Sequence, residues 1–83
     1  MGSDSGQGEI RVEVAYATPE KQVLLAIVAP AGCTVAEAIE RSGIRQEFPD
    51  RELDLSHVGI FSRKASLDDI LRDGDRVEIY RPL

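Results

Sequence analysis

The chain has 83 residues and a mass of 9.1 kDa, which is enough for one small domain and too little for a second core. Acidic residues outnumber basic residues by 15 to 10, and the formal net charge of −5 argues against binding to nucleic acid or to an anionic membrane, because both need a concentrated positive surface. The single cysteine excludes an internal disulfide, a cysteine-built zinc site and a four-cysteine iron–sulfur cluster.

Residues 1–8 are rich in glycine and serine, and they bury too little apolar area to offset the entropy of ordering, so we predict a disordered tail. They lack the basic segment and apolar stretch that a signal peptide requires. The longest apolar run, 23–31, contains Pro30 and is too short to span a membrane. We therefore expect a cytoplasmic protein with no direct membrane insertion and a single domain over residues 9–83.

Two strands follow the predicted tail. In the first strand, apolar residues alternate with mostly polar ones, which predicts one buried face. That face would contain Ile10, Val12, Val14 and Tyr16. A turn over Thr18–Lys21 leads into a second apolar run, Val23–Ala29, which stops at Pro30. This length and spacing predict a β-hairpin.

The clearest helix start lies at Thr34. Its hydroxyl can accept a hydrogen bond from the backbone N–H of Glu37, and the Glu37 carboxylate can reach back to the N–H of Thr34, which makes a capping box. Gly43 supplies a left-handed residue at the other end, followed by the hydrophobic Ile44. Between these ends, helical spacing places one face toward the core. That face would contain Val35, Ala38, Ile39 and Ser42, in a helix of about two turns.

The next part of the chain has shorter elements. Residues 45–56 are predicted to be irregular, with a few apolar side chains that hold the loop against the core. Those side chains are Phe48, Leu53 and Leu55. A third strand is predicted over Val58–Phe61, a turn over Ser62–Lys64 and a short edge strand over Ala65–Leu67. Asp68–Leu71 is predicted to form one helical turn.

The last strand, Arg76–Arg81, follows a strong turn signal at Asp73–Asp75. Its inner face would contain Val77 and Ile79. A single helix can cover one face of a four- or five-stranded sheet, and a helix that crosses over the hairpin lets the last strand lie beside the first. We therefore predict an α+β fold of the β-grasp, or ubiquitin-like, class, with a mixed sheet packed on one main helix.

Few residues support catalysis or metal binding. His57 is the only histidine and is interpreted as a surface or capping residue, and no serine or cysteine has an evident base partner. Cys33 lies just before the helix start, where an exposed thiol would be reactive, but we favour a packed position. The acidic cluster within residues 68–75 lacks the spacing of a calcium loop, which predicts turn and cap roles. We expect no catalytic residue, cofactor or metal ion.

The face of the sheet that points away from the helix is the most informative surface. It would combine opposite charges with exposed aromatic rings, and arginine and aromatic residues dominate protein interfaces. The predicted protein-binding residues are Arg11, Glu13, Phe61, Arg76, Glu78 and Tyr80. An ordinary solvated sheet with ion pairs explains the same pattern equally well, so both interpretations stay open.

Several segments together resemble the RnfH family, and the similar region covers residues 9–83. The segments are Ile10–Ala17, Thr34–Val35, Glu37–Ile39, Ser42–Ile44, Phe48–Pro49, Asp54–Leu55, Val58–Phe61 and Leu71–Leu83. The resemblance implies a β-grasp fold and no catalytic residue. It also implies a protein partner, either associated with an Rnf-type complex or START-like, as in a toxin-type two-gene module. We expect the isolated chain to be a monomer, although the edge at Val23–Ala29 leaves pairing with another chain open.

A sulfur carrier or protein modifier is the alternative hypothesis, because Asp73–Val77 also resembles sulfur-carrier proteins. Those proteins end in a flexible Gly-Gly whose carboxylate is adenylated, whereas this sequence has Arg81-Pro82-Leu83. We therefore expect a non-enzymatic binding module.

Overall fold

The structure, a computed structural model, describes residues 8–18, 21–50 and 52–80. Strands β1 and β2 form the predicted hairpin, and one helix follows them. The elements are β1 (Glu9–Ala17), β2 (Gln22–Pro30), α1 (Val35–Ser42), a 3₁₀ helix (Ile44–Glu47), β3 (Val58–Ile60), β4 (Arg63–Ala65) and β5 (Arg76–Ile79). The 3₁₀ helix occupies part of the segment that was predicted to be irregular.

The five strands form one sheet in the order β2-β1-β5-β3-β4. β1 pairs with β2 in antiparallel fashion and with β5 in parallel fashion, so the last strand lies beside the first, as predicted. In this parallel register Val14 lies opposite Val77. The mixed sheet with one main helix confirms the predicted α+β architecture.

The core lies between α1 and the inner face of the sheet. Alternation along β1 and β5 places their apolar residues on this face, and helical spacing turns Val35, Ala38 and Ile39 toward them. The fully covered side chains include Val14, Val35, Ile44 and Val77, each 0% exposed. Phe48 packs its ring edge-on against Tyr16, with 4.8 Å between the ring centroids. Phe48 and Leu53 are buried and Leu55 is half-buried, which confirms that they hold the long loop against the core.

A turn and a short edge strand follow β3 as predicted, but the bounds Ser62–Lys64 and Ala65–Leu67 are wrong, because both elements begin earlier in the chain. The chain reverses at Phe61 and Ser62, whose φ angles of 49° and 70° are left-handed. Two left-handed residues make a two-residue hairpin connection whose twist matches that of the flanking strands. Glycine or asparagine is the usual sequence signal for such a turn, and Phe61 and Ser62 lack that signal, so the position of the turn could not be predicted. β3 therefore ends before Phe61, and β4 begins at Arg63.

The predicted helical turn over Asp68–Leu71 is also wrong. The carbonyl groups of Leu67 and Asp69 accept hydrogen bonds from the first two N–H groups of α1, at 3.0 and 2.9 Å. The N–H of Leu71 in turn donates to the carbonyl of Cys33 at 2.8 Å. The N–H of Asp69 donates to the carbonyl of Ser66 at 3.1 Å, which closes a single turn, and Ile70 then forms a β-bridge with Thr34, so Asp68–Leu71 runs beside the helix start and not as a helical turn.

Some predicted features lie partly outside the described residues. They are the tail, of which only Gly8 is described, the centre of the first turn and Arg81 of the predicted last strand, while β5 itself ends at Ile79, before the described Tyr80. The carbonyl of Gly8 accepts a hydrogen bond from the N–H of Ala31 at 2.9 Å, which continues the β1–β2 ladder. Within the described residues, no helix is long and apolar enough to cross a membrane.

Candidate protein-binding face

The outer face of the sheet, which points away from α1, collects all six predicted protein-binding residues. Odd-numbered residues of β1 point outward because even-numbered ones fill the core, and the parallel register sets Glu13 beside Arg76. Glu78 lies on the same side of β5, and Tyr80 follows the end of that strand. The face is therefore built from the central strands of the sheet, which are its best-anchored part.

Arg76 is the centre of this face. Its Nε donates to Oε1 of Glu13 at 2.8 Å, which is an ion pair between neighbouring strands. Both side chains are about two-fifths exposed, so solvent screening limits the pair to about 0.2–1 kcal/mol. The guanidinium also lies 5.9 Å from the centroid of the Phe61 ring, within the range of a cation–π interaction.

Phe61 is held in an unusual conformation. Its φ of 49° lies in the left-handed region, which is a genuine outlier for a bulky residue, and the side chain remains 52% exposed. Local strain of this kind costs about 1–3 kcal/mol and is concentrated at functional sites. A two-residue turn prefers residues that adopt a left-handed φ with less strain. This turn instead has a phenylalanine, whose ring is exposed to solvent beside Arg76.

Glu78 forms hydrogen bonds both to Tyr80, the other aromatic residue of this face, and to the turn at Phe61 and Ser62. Its Oε1 accepts the hydroxyl of Tyr80 at 2.8 Å and the backbone N–H of Ser62 at 2.9 Å. Burial of the hydroxyl and the neighbouring carboxylate raise the pKa of Tyr80 above its ordinary value. Gly59, opposite Glu78 in the β3–β5 register, leaves the space that the Tyr80 ring occupies.

Arg11 lies at the opposite end of the same face. Its backbone N–H donates to Oδ1 of Asp73 at 2.8 Å, and its carbonyl accepts from the N–H of Gly74 at 2.7 Å. Within the described part of the chain, its guanidinium forms no ion pair. Arg11 and Phe61 line one shallow cavity, so a planar cationic group and an aromatic ring are available to a single ligand surface.

Sequence reasoning missed the apolar extension of this face. Leu24 and Val28 on β2 are 53% and 50% exposed, and they flank the exposed Ala26. In the β1–β2 register Leu24 lies opposite Ala15, and Val28 lies opposite Arg11. The only available signal was that the run Val23–Ala29 is apolar at every position, and a strand buried on both faces gives the same signal.

The other candidate residues have structural roles. Cys33 is buried, with its Sγ donating a weak hydrogen bond to the carbonyl of Thr34, as the favoured interpretation predicted. Burial, with a further contribution from the Glu37 carboxylate, raises the pKa of the Cys33 thiol. This thiol is therefore less ionised than an exposed one and is a poor nucleophile.

His57 is exposed, and its Nδ1 lies 3.2 Å from Oγ of Ser56. Asp54 accepts hydrogen bonds from both the N–H and the hydroxyl of Ser56, which lower the pKa of its carboxyl group. In a catalytic triad the carboxylate would orient the imidazole, whereas here it bonds the serine. The three residues therefore belong to a surface loop whose side chains are hydrogen-bonded to one another, with no catalytic arrangement.

The acidic cluster has the predicted turn roles. The carboxylates of Asp69 and Asp75 accept backbone N–H groups of Ser66 and Arg72, and Asp73 accepts that of Arg11. Among the residues that the structure describes, no group of three potential metal ligands occurs.

With this geometry in place, comparison with known proteins decides the family. A family model described as RnfH family Ubiquitin matches residues 10–83. The chain belongs to the RnfH family. Protein RnfH of Pseudoalteromonas atlantica is 55% identical over 75 residues, which make up 90% of this chain and 69% of that protein. Protein RnfH of Escherichia coli O45:K1 is 57% identical over 76 residues, covering 92% and 79%.

Two solved structures are similar to this RnfH-family chain. The putative molybdopterin converting factor, subunit 1, from Pyrococcus furiosus has a TM-score of 0.65 over 89% of this chain and 99% of that one, at 23% identity, so the likeness concerns the fold alone. Protein HI0395 from Haemophilus influenzae, solved as a 3D domain-swapped dimer, has a TM-score of 0.55 at 47% identity, over 92% and 95%. The predicted family and β-grasp fold are thus confirmed.

Proposed function

We propose that this chain is a non-enzymatic interaction module that docks a larger protein through the outer face of its sheet. The observation that supports this most directly is the Phe61 turn. A strained backbone holds a half-exposed ring beside the Arg76 guanidinium. Aromatic and arginine side chains in such settings are the usual centres of protein interfaces.

The internal pairing of the face also supports docking. Glu13 already neutralises Arg76, and Glu78 is satisfied by the turn and by Tyr80, so these charges are held in place before a partner arrives. Groups that are already ordered lose less conformational entropy on binding. Arg11 is the cation on this face that a partner carboxylate would meet.

The partner that we propose is a START-like protein, which the resemblance to the RnfH family suggested. The test is isothermal titration calorimetry of the purified chain against the START-like protein encoded in the same genome. Phe61→Asn is the decisive variant, because asparagine accepts a left-handed φ more readily than phenylalanine does. This change removes the ring without weakening the turn.

We expect Phe61→Asn to raise the dissociation constant by about tenfold or more, the size of effect typical of an interface centre. The thermal midpoint of the chain should stay the same or rise. The matched control is Ile70→Asn, because Ile70 is 65% exposed in the loop that pairs with Thr34 at the helix start, away from the outer face. Failure of the START-like protein to bind, or equal binding by Phe61→Asn and wild type, would refute the proposal.

A further inference from the structure

The two edges of the sheet differ sharply in how well they are protected from pairing with another strand. The β4 edge is only three residues long and begins with Arg63 and Lys64. Short, basic edge strands resist pairing with a further strand. The β2 edge is nine residues long, and Gln22–Pro30 contains no charged residue. A long, uncharged edge of this kind is a template for strand addition.

The hydrogen-bond pattern identifies which backbone groups of β2 point away from β1 and, among the described residues, have no strand beside them. Thr18 and Lys21 exchange both backbone hydrogen bonds, at 2.7 and 3.3 Å, so they form a hydrogen-bonded pair of the antiparallel ladder. Such pairs alternate along the strand, so Val23, Leu25 and Ile27 point their backbone groups toward β1. The N–H and C=O groups of the intervening residues therefore point away from the sheet. Those residues are Leu24, Ala26 and Val28.

Side-chain burial also shows that β2 is less completely covered than β1. On β1 the inward-facing residues are nearly fully covered, with Val12 and Val14 at 2% and 0% exposure. On β2 the inward-facing residues of the run are only half-buried, apart from Ala29. The outward-facing Leu24 and Val28 are about half exposed. A further strand beside β2 would cover both sets at once.

We propose that this edge pairs with β2 of a second copy of the same chain, antiparallel and centred on Ala26. Leu24 then lies opposite Val28 of the other copy, and Leu25 lies opposite Ile27. The strand is nearly symmetric about Ala26 from Val23 to Ala29, so every side chain in that stretch meets an apolar one, and only the outermost pair joins Gln22 to Pro30. The outward-pointing backbone groups also fall into register as hydrogen-bonded pairs.

Charge favours this edge over other surfaces as the place where two copies meet. Each chain carries a net charge of −5, so two copies repel each other overall, and an uncharged contact surface adds no local like-charge repulsion to this. Gln22–Pro30 provides such a surface. The seam is one strand wide, smaller than a standard protein interface, so the pairing is weak and depends on concentration. The expected monomer then prevails only in dilute solution. Leu24 and Val28 belong to the apolar extension of the outer face, but Phe61 lies outside the seam, so Phe61→Asn tests the proposed function without changing a seam residue.

The first test is sedimentation equilibrium up to about 1 mM, where we expect a dimer with a dissociation constant between about 10 µM and 1 mM. Two double variants lose the same apolar side chains. In L24K/V28K like charges face each other across the seam, whereas in L24K/V28E opposite charges do. We expect the first to weaken the dimer by about tenfold or more and the second to stay within about threefold of wild type.

The net charge of the variants works against the result that we expect. L24K/V28K reduces the net negative charge, so general repulsion between chains falls while the specific seam is disrupted. Circular dichroism serves as the folding control, and we expect both variants to fold because the replaced side chains are half exposed. A wild-type chain that stays monomeric up to about 1 mM, or equal association by both double variants, would overturn the proposal.

A second test fixes the register. At the centre of the seam the two Ala26 Cα atoms would be about 5.5 Å apart, a distance that a disulfide can bridge. We expect Ala26→Cys to form a disulfide-linked dimer under mild oxidation. Ser66→Cys, at an exposed position far from β2, is the matched control, and the buried Cys33 sets the background in the wild type. Equal cross-linking of both variants would contradict the register.

Discussion

Gly59 decides where the Tyr80 ring lies, and thereby shapes one end of the outer face. A Cβ atom at Gly59 would lie 2.9 Å from Cε2 of Tyr80 and 2.7 Å from the backbone oxygen of Arg63. Both distances are too short for carbon, so the ring and β4 can approach only because the side chain is absent. The ring in turn covers the glycine and brings its hydroxyl to Glu78.

We predict that Gly59→Ala lowers the free energy of unfolding by about 1–3 kcal/mol, the usual cost of overpacking, measured by urea denaturation. The displaced ring should lose its contact with Glu78, so the pKa of Tyr80 should fall toward its ordinary value. A raised phenol pKa stabilises the fold below the ordinary pKa, and this stabilisation is lost as the pH rises through the folded-state pKa. The variant should therefore lose less stability than wild type on going to alkaline pH.

Tyr80→Ala in combination with Gly59→Ala is the control for this prediction. Removing the ring should recover part of the lost stability, and the rest should persist because the Arg63 carbonyl is backbone. An absorbance titration compared with Tyr80→Phe isolates the phenol of interest from that of Tyr16. Full recovery in the double variant, or an unchanged Tyr80 pKa in Gly59→Ala, would contradict this account.

For the single residues of the outer face, the sequence predicted which of them lie on the same side of the sheet but not the contacts that fix their positions. Alternation along β1 and β5 was enough to group Glu13, Arg76 and Glu78, because the period of a strand fixes the side of each residue. The position of Phe61 depends on two left-handed residues that lack the usual glycine or asparagine signal. The role of Gly59 depends on contacts across β3, β4 and β5, which local patterns cannot reveal.

Among the elements, α1 depends on a segment far away in sequence for its start. The first N–H groups of a helix have no partners within the helix. Here Val35 and Ala36 donate to the carbonyls of Asp69 and Leu67, and Glu37 donates to the hydroxyl of Thr34 at 3.2 Å. The carboxylate of Glu37 accepts the N–H of Thr34 at 2.9 Å, which completes the predicted capping box.

We predict that Thr34→Ala lowers the free energy of unfolding by about 1 kcal/mol, because the N–H of Glu37 loses its acceptor and the capping box opens. Thr34→Ser keeps the hydroxyl and is the matched control, so its stability should stay within about 0.5 kcal/mol of wild type. Chemical denaturation of both variants measures the difference. Equal losses in the two would show that the methyl group matters and the cap does not.

The capping box was predictable because all its atoms lie within four residues of sequence. The path of the segment after β4 was not, since it is fixed by the long-range bonds of Leu67 and Asp69 to α1. β2 illustrates the same limit. Its apolar run indicated a strand at an edge of the sheet, and the strand order confirms this position, but the run did not show that Leu24 and Val28 stay exposed.

In the whole molecule, β1 is the strand around which the sheet is organised. Its even-numbered residues bond β2, in phase with the Thr18–Lys21 pair, and its odd-numbered residues bond β5, as the N–H of Glu13 does with the carbonyl of Asp75 at 3.0 Å. Both neighbours are present along the centre of β1, whereas β2 has a neighbour on one side only among the strands of the described residues. Protection of the backbone should therefore fall from the centre of the sheet to its β2 edge.

Amide hydrogen exchange, followed by NMR in dilute solution where the chain is monomeric, tests this arrangement. We predict that the amides of Val12 and Val14 exchange only through global unfolding, since they are bonded and lie at the centre of the sheet. Along β2 the rates should alternate, with Leu25 and Ile27 protected and Ala26 at least about tenfold faster, because its N–H faces solvent. Uniform protection along β2 in the monomer would mean that another part of the chain covers this edge, and the self-pairing proposed for it would then have no free groups to use.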